Sequence, residues 1–117
     1  MEPQLYCYEA LVTAVYDADT ITVDLNLGLS VVRKGLRLRL YGIDAPEVRG
    51  VERPEGLVAR DFLRDLILDK KITVETIKDS TGKYGRYLAN IWIKLGDGDV
   101  NINELLVQEG HAEFREY

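Results

Sequence analysis

Apolar and polar residues alternate with period two along much of the first half of the chain, and helical spacing takes over only twice. Residues 9–16 are rich in β-formers (Val12, Thr13, Val15, Tyr16) and run into an Asp17-Ala18-Asp19 turn, after which Ile21-Thr22-Val23-Asp24-Leu25 alternates strictly. This predicts a hairpin. Residues 26–35 carry Gly28, Ser30 and Gly35 as punctuation; Leu36-Arg37-Leu38-Arg39-Leu40 then alternates again, which puts the leucines in the core and both arginines on the opposite face. Gly42 and Pro46 end that strand, and residues 48–56 mix Arg, Gly, Glu and Pro without period, as an exposed loop does.

Leu57, Phe62, Leu66 and Ile67, with Val58, Leu63 and Leu68 nearby, form an apolar stripe at helical spacing, closed by Lys70-Lys71 at the negative end of the dipole. Residues 72–76 and 88–94 read as two further strands, joined through an Asp79-Ser80-Thr81-Gly82 turn cluster. Asn101 or Asn103 is placed to cap a last helix over residues 104–109, with Leu105, Leu106 and Val107 inward and Gly110 as its stop. Trp92 is expected in the core, with Ile91 or Ile93 on the other face; His111 is read as a surface or packing residue and Cys7 as a small buried hydrophobe. Strands without βα alternation, with helices only late, define an α+β, mostly β class: a five-stranded oligonucleotide-binding (OB-fold) barrel with two helices.

Composition agrees with a single domain spanning residues 1–117: 46% of the residues are hydrophobic, and one cysteine excludes an intrachain disulfide. No basic segment leads into an apolar run at the N-terminus, and no stretch approaches the roughly eighteen apolar residues of a membrane span. No membrane partner is expected. The Met1 start leans toward an intracellular or phage-encoded protein, with secretion open if a signal has been removed. A monomer is expected, since no exposed apolar stripe stands out.

Net charge is -5, which at first argues against a nucleic-acid partner. The distribution changes that picture: residues 97–117 carry six acids against Arg115 alone, whereas residues 31–50 hold Arg33, Lys34, Arg37, Arg39 and Arg49 against Asp44 and Glu47. A local positive patch coexists with an acidic whole, so binding to DNA or RNA should be modest and easily eroded by salt.

Four separated stretches carry the chemistry. Asp17-Ala18-Asp19-Thr20 and Asp44-Ala45-Pro46-Glu47 offer carboxylates, and Leu38-Arg39-Leu40 and Lys83-Tyr84-Gly85-Arg86 offer cations. Each alone has an ordinary reading, as a hairpin turn, a loop acid or a surface ion pair. Together they match what phosphodiester hydrolysis requires: oxygen ligands for a hard metal, a base for water and fixed positive charge on the phosphate.

In this order and spacing, and with Val100-Asn101-Ile102-Asn103-Glu104-Leu105-Leu106 following, the four stretches resemble the staphylococcal nuclease (thermonuclease) family over nearly the whole chain. The resemblance implies an OB-fold barrel and a calcium-dependent phosphodiesterase acting on DNA and RNA and leaving 3′-phosphate ends. Asp19 and Asp44 match ligand aspartates for one Ca2+ ion, and Ala45 matches a position that supplies a backbone carbonyl and often carries threonine. Glu47 matches the general base, Arg39 and Arg86 the two arginines on the scissile phosphate, and Lys83 and Tyr84 the lining of a nucleotide phosphate pocket.

The chemistry of these groups fits those roles. Two carboxylates and a carbonyl make a sparse oxygen shell that suits calcium over zinc, with affinity near ~10⁻⁴ to 10⁻³ M. Calcium acidifies water poorly, so a separate base is needed. A narrow cleft favours single-stranded nucleic acid as partner. The rival reading is a nuclease-like module that binds nucleic acid or a protein without cutting. Three departures from the family are expected to matter: a longer hairpin between Ile21 and Leu36, a shorter loop after Glu47, and the absence of the family's third helix beyond residues 104–109.

Overall fold

A computed structural model describes residues 6–81 and 87–115, with the side chains of 78–81 left aside. β1 (Cys7–Asp17), β2 (Thr20–Gly28) and β3 (Val31–Leu40) form an antiparallel meander; β5 (Lys71–Thr81) pairs with β1 and β6 (Tyr87–Leu95) with β5. A parallel pairing of β3 with β6, Leu38 opposite Tyr87 and Arg39 opposite Leu88, joins the two ends and closes a five-stranded barrel. The barrel interior is filled by the inward parity of each strand, including Val12, Ile21, Val23, Leu36, Leu38, Leu40, Ile72, Val74, Ala89, Ile91 and Ile93.

α1 (Arg53–Ile67) follows a short 3-10 turn (Gly50–Glu52) and buries Gly56, Ala59, Leu63 and Ile67. The helix begins earlier than its apolar stripe suggests because Pro54 sits in its first turn, where a missing N–H costs nothing. α2 (Ile102–Gln108) is capped by Asn101, whose side chain accepts from the Glu104 amide. Asn103 therefore does not cap: its side chain is buried and bonds Ile91 N, Tyr41 O, Ala89 O and Asn90 Oδ1, fastening α2 to β6. Beside the barrel lie β4 (Ile43–Asp44), β7 (Gly98–Asn101) on β6, and β8 (Glu113–Phe114) on β4.

Several expectations change. Residues 26–35, marked in the sequence only by Gly28, Ser30 and Gly35, are mostly strand: β2 and β3 continue through the segment to a two-residue connection, Leu29-Ser30, both at positive φ (54° and 65°). Trp92 is half-buried and outward, while both Ile91 and Ile93 face the core. Cys7 is only partly buried. Exposed apolar residues do cluster: Leu27, Leu29, Val31 and Val32 leave the hairpin end uncovered, with Leu29 99% exposed. His111 packs its ring on Phe62, centroids 4.5 Å apart. Among the described residues no helix is long and apolar enough to cross a membrane.

Candidate active site

Three chain segments meet where β1 turns into β2 and β3 runs into β4. The Asp17–Thr20 turn is held by its own side chains: Asp17 Oδ1 accepts from Asp19 N (3.1 Å), and Thr20 Oγ1 donates to Asp19 Oδ1 (3.2 Å). Asp19 then reaches across to the third segment, its Oδ2 accepting from the Ala45 amide at 2.9 Å, while its carbonyl receives Leu40 N at 2.8 Å.

Arg39 is the centre of the arrangement. Alternation put it on the open outer face, but it is buried, because the Asp19 turn and the β4 segment close over it. Nη1 donates to the carbonyls of Leu40 (3.1 Å) and Ile43 (2.9 Å) and lies 3.3 Å from Asp19 Oδ2; Nη2 donates to Asp44 Oδ1 at 2.6 Å. Two carbonyls thus fix the guanidinium plane, and one cation holds two carboxylates from different segments. Arg37, by contrast, stays exposed as alternation predicts.

Asp44 also meets Arg115 Nη1 at 3.2 Å, brought there by β8 pairing with β4 and by Arg115 N donating to Gly42 O. Arg115 was invisible as a site neighbour in the sequence, where it is a lone cation in an acidic tail. Asp17 was visible only as a turn residue. Its burial, followed by the side-chain hydrogen bond and charge of Asp19, pushes its carboxyl up to about 7, against smaller lowering by the Asp19 backbone amide and then by the charge of Arg39. Because the unfolded carboxyl ionises near 3.8 while the folded one holds its proton to about 7, this group lowers stability progressively as pH rises from about 4 to about 7, and the cost is constant above that.

Asp19 and Asp44 flank the Arg39 guanidinium, one at Nη1 and the other at Nη2, and both offer oxygen donors only, the donor type a hard divalent ion takes. Among the described residues no group of three or more Asp, Glu, His or Cys side chains is arranged to hold an ion. Ala45 contributes its amide to Asp19. Glu47 follows on the same loop, exposed and without a hydrogen bond or ion pair among the described residues. Lys83, Tyr84 and Arg86 lie outside the described residues.

The Glu47 backbone is set by α1. Gly56 packs directly on it: a Cβ added there would fall on the Glu47 carbonyl, with Pro46 O at 3.0 Å. Helix propensity alone makes Gly56→Ala stabilising by roughly 0.5–1 kcal/mol. The clash is with backbone, so overpacking of about 1–3 kcal/mol wins. Gly56→Ala is therefore expected to lower Tm in a thermal melt followed by circular dichroism; an unchanged or raised Tm would show that the Glu47 loop yields freely.

The family described as Staphylococcal nuclease homologue matches residues 37–117, more than half of the sequence. The chain belongs to the staphylococcal nuclease family. Within that family it is 34% identical over 109 residues to a thermonuclease of Staphylococcus hyicus, covering 91% of this chain and 59% of that protein. A thermonuclease of Staphylococcus intermedius is 32% identical over 110 residues (92% and 60%), and an uncharacterized endonuclease of Escherichia coli O157:H7 is 33% identical over 101 residues (86% and 57%). The chain thus spans less than two thirds of the length of these relatives. The family match takes in Arg39, Asp44, Ala45 and Glu47 and begins after the Asp17–Thr20 turn. That turn is tied to the matched region by Asp19 through Ala45 and Arg39.

Proposed function

We propose that this chain is a calcium-dependent nuclease that hydrolyses phosphodiester bonds of DNA or RNA, acting as a single domain over residues 1–117, as a monomer, on single-stranded or frayed substrate. The observation that carries the proposal is Arg39, oriented by two backbone carbonyls between Asp19 and Asp44, beside a loop that offers the Glu47 carboxylate, unengaged among the described residues. Its similarity to two thermonucleases and an uncharacterized endonuclease supports the same reading.

Asp19, Asp44 and the Ala45 carbonyl would hold the calcium ion, whose chemistry is to neutralise charge on a phosphate oxygen and to help position it. Nη1 of Arg39 is committed to the backbone, so Nη2, now on the half-exposed Asp44, is the donor a phosphate oxygen takes over. Arg86 supplies the second guanidinium, and Lys83 and Tyr84 bind the neighbouring phosphate. Glu47 accepts the proton of a water whose oxygen bonds to phosphorus as the bond from phosphorus to the 5′ oxygen breaks. The oxygen that leaves takes up a proton, giving a 5′-hydroxyl and a 3′-phosphate.

Mass spectrometry of fragments from a defined oligonucleotide incubated with calcium tests this. Fragments ending in 3′-phosphate and beginning with 5′-hydroxyl are expected. Intact oligonucleotide would contradict cleavage, and 5′-phosphate ends would overturn the assignment of the leaving oxygen.

A further inference from the structure

The barrel end away from the Asp17–Thr20 turn opens into a cleft of about 210 Å³ lined by Tyr6, Tyr8, Leu25, Leu27, Arg33, Leu36, Thr76, Ile77 and Tyr87. Small clefts at barrel mouths are common binding places, and this one is smaller than the roughly 300–1,000 Å³ of sites for drug-sized ligands. It has room for one planar ring rather than a base pair. Three of its walls are tyrosines.

Two features of the chain build it. Alternation along β3 from Leu36 would bring Lys34, not Arg33, to the mouth. A bulge changes this: Lys34 and Gly35 stand opposite Asp24 alone, Gly35 takes φ +68°, and its amide bonds Asp24 Oδ1 at 3.1 Å. Arg33 thereby comes opposite Leu25 and lines the cleft, and among the described residues it has no ion pair or hydrogen bond. Tyr6 is held with φ 62°, a conformation non-glycine residues rarely adopt, by Thr76 donating to its carbonyl from both N (2.9 Å) and Oγ1 (3.4 Å). The strained residue is 41% exposed at the rim.

The cleft and the candidate site share the β3–β6 strand pair. Tyr87 pairs with Leu38, the residue before Arg39, and Leu36 lies three residues from Arg39, about 10 Å along an extended strand. Aromatic faces with a guanidinium that is unpaired among the described residues suit a ligand that joins a flat ring to an anion.

We infer that the Tyr6–Tyr8–Tyr87 cleft and Arg33 form a nucleotide subsite that stacks an unpaired base of the substrate strand near the scissile phosphate. The inference rests on the nucleic-acid reading above and extends its footprint. Because the subsite takes a single base, it selects against a duplex and sets a minimum substrate length.

NMR titration of the ¹⁵N-labelled chain, in chelator, with a thymidylyl dinucleotide and an eight-nucleotide oligothymidylate reads the subsite directly. The longer strand is expected to shift the Tyr8, Arg33 and Tyr87 amides and to bind more tightly than the dinucleotide. Tyr8→Leu and Arg33→Gln should each shrink that length advantage by about tenfold, while Tyr8→Phe retains most of it. Arg33 is exposed, so its variant keeps the test valid even if Tyr8→Leu fails to fold. Shifts confined to the surroundings of Arg39, an unchanged length advantage in the variants, or no shifts at all would overturn the subsite. Adding calcium to the same samples reads the nuclease proposal separately: mouth shifts without cleavage keep the subsite and remove the activity, and cleavage without mouth shifts does the reverse.

Discussion

Arg39→Lys is expected to lower the cleavage rate by about 10²–10³-fold, the loss seen when one preorganised donor to a developing oxyanion is removed. Lysine keeps the charge but cannot reproduce the fork: Arg39 uses Nη1 on two carbonyls and Nη2 on Asp44 at once. Alanine does more damage. The contact to Asp44 is the shorter, 2.6 Å against 3.3 Å, but Asp44's side chain is 52% exposed and Asp19's only 10%. Water screens the exposed pair to about 0–1 kcal/mol. Removing the guanidinium from buried Asp19 leaves an uncompensated carboxylate, a loss of roughly 3–5 kcal/mol. Arg39→Ala should therefore lower Tm as well as rate, while Arg39→Lys lowers mainly rate. Single-turnover kinetics and thermal melts on both variants check this; near-native turnover in Arg39→Lys would remove arginine's assigned role on the phosphate.

Glu47→Gln is expected to reduce turnover by about 10²–10⁴-fold, the usual worth of a positioned base, with Tm unchanged. The contrast with Arg39 is the point of the prediction. Glu47 is exposed and without a side-chain partner among the described residues, so its amide analogue should change stability by no more than about 0.5 kcal/mol. Glutamine fills the same space but cannot accept the water proton. An effect on kcat with KM little altered would mark an interaction made in the transition state. Turnover within a few-fold of the parent chain would move the base elsewhere.

The barrel was legible because its signals are local. Alternation in residues 21–25 and 36–40, the apolar stripe of α1 and the Asn101 cap each follow from side chains a few positions apart. The hairpin end was not legible, since Leu29 and Ser30 take positive φ without the Asn-Gly or Gly chemistry that announces such a turn. Trp92 went to the wrong face because size was weighed above parity, and the β-branched neighbours on either side own the core.

At the site, the residue types of Asp19, Asp44 and Arg39 were readable from motif order, whereas Arg39's burial was not. It depends on a contact between residues 26 positions apart, Asp19 to Ala45. Arg115 and Asn103 depend on longer separations still, 71 positions to Asp44 and 62 to Tyr41. Gly56 was the one missed residue with a local signal: a glycine inside an otherwise regular amphipathic helix costs propensity and usually marks a close approach.

Incubation of a labelled single-stranded oligonucleotide with the chain, in calcium and in excess chelator, tests the central claim most directly. The account predicts fragments in calcium, none in chelator, and recovery when calcium is restored. Undiminished cleavage in chelator, or stable retention of intact oligonucleotide with calcium present, would contradict it.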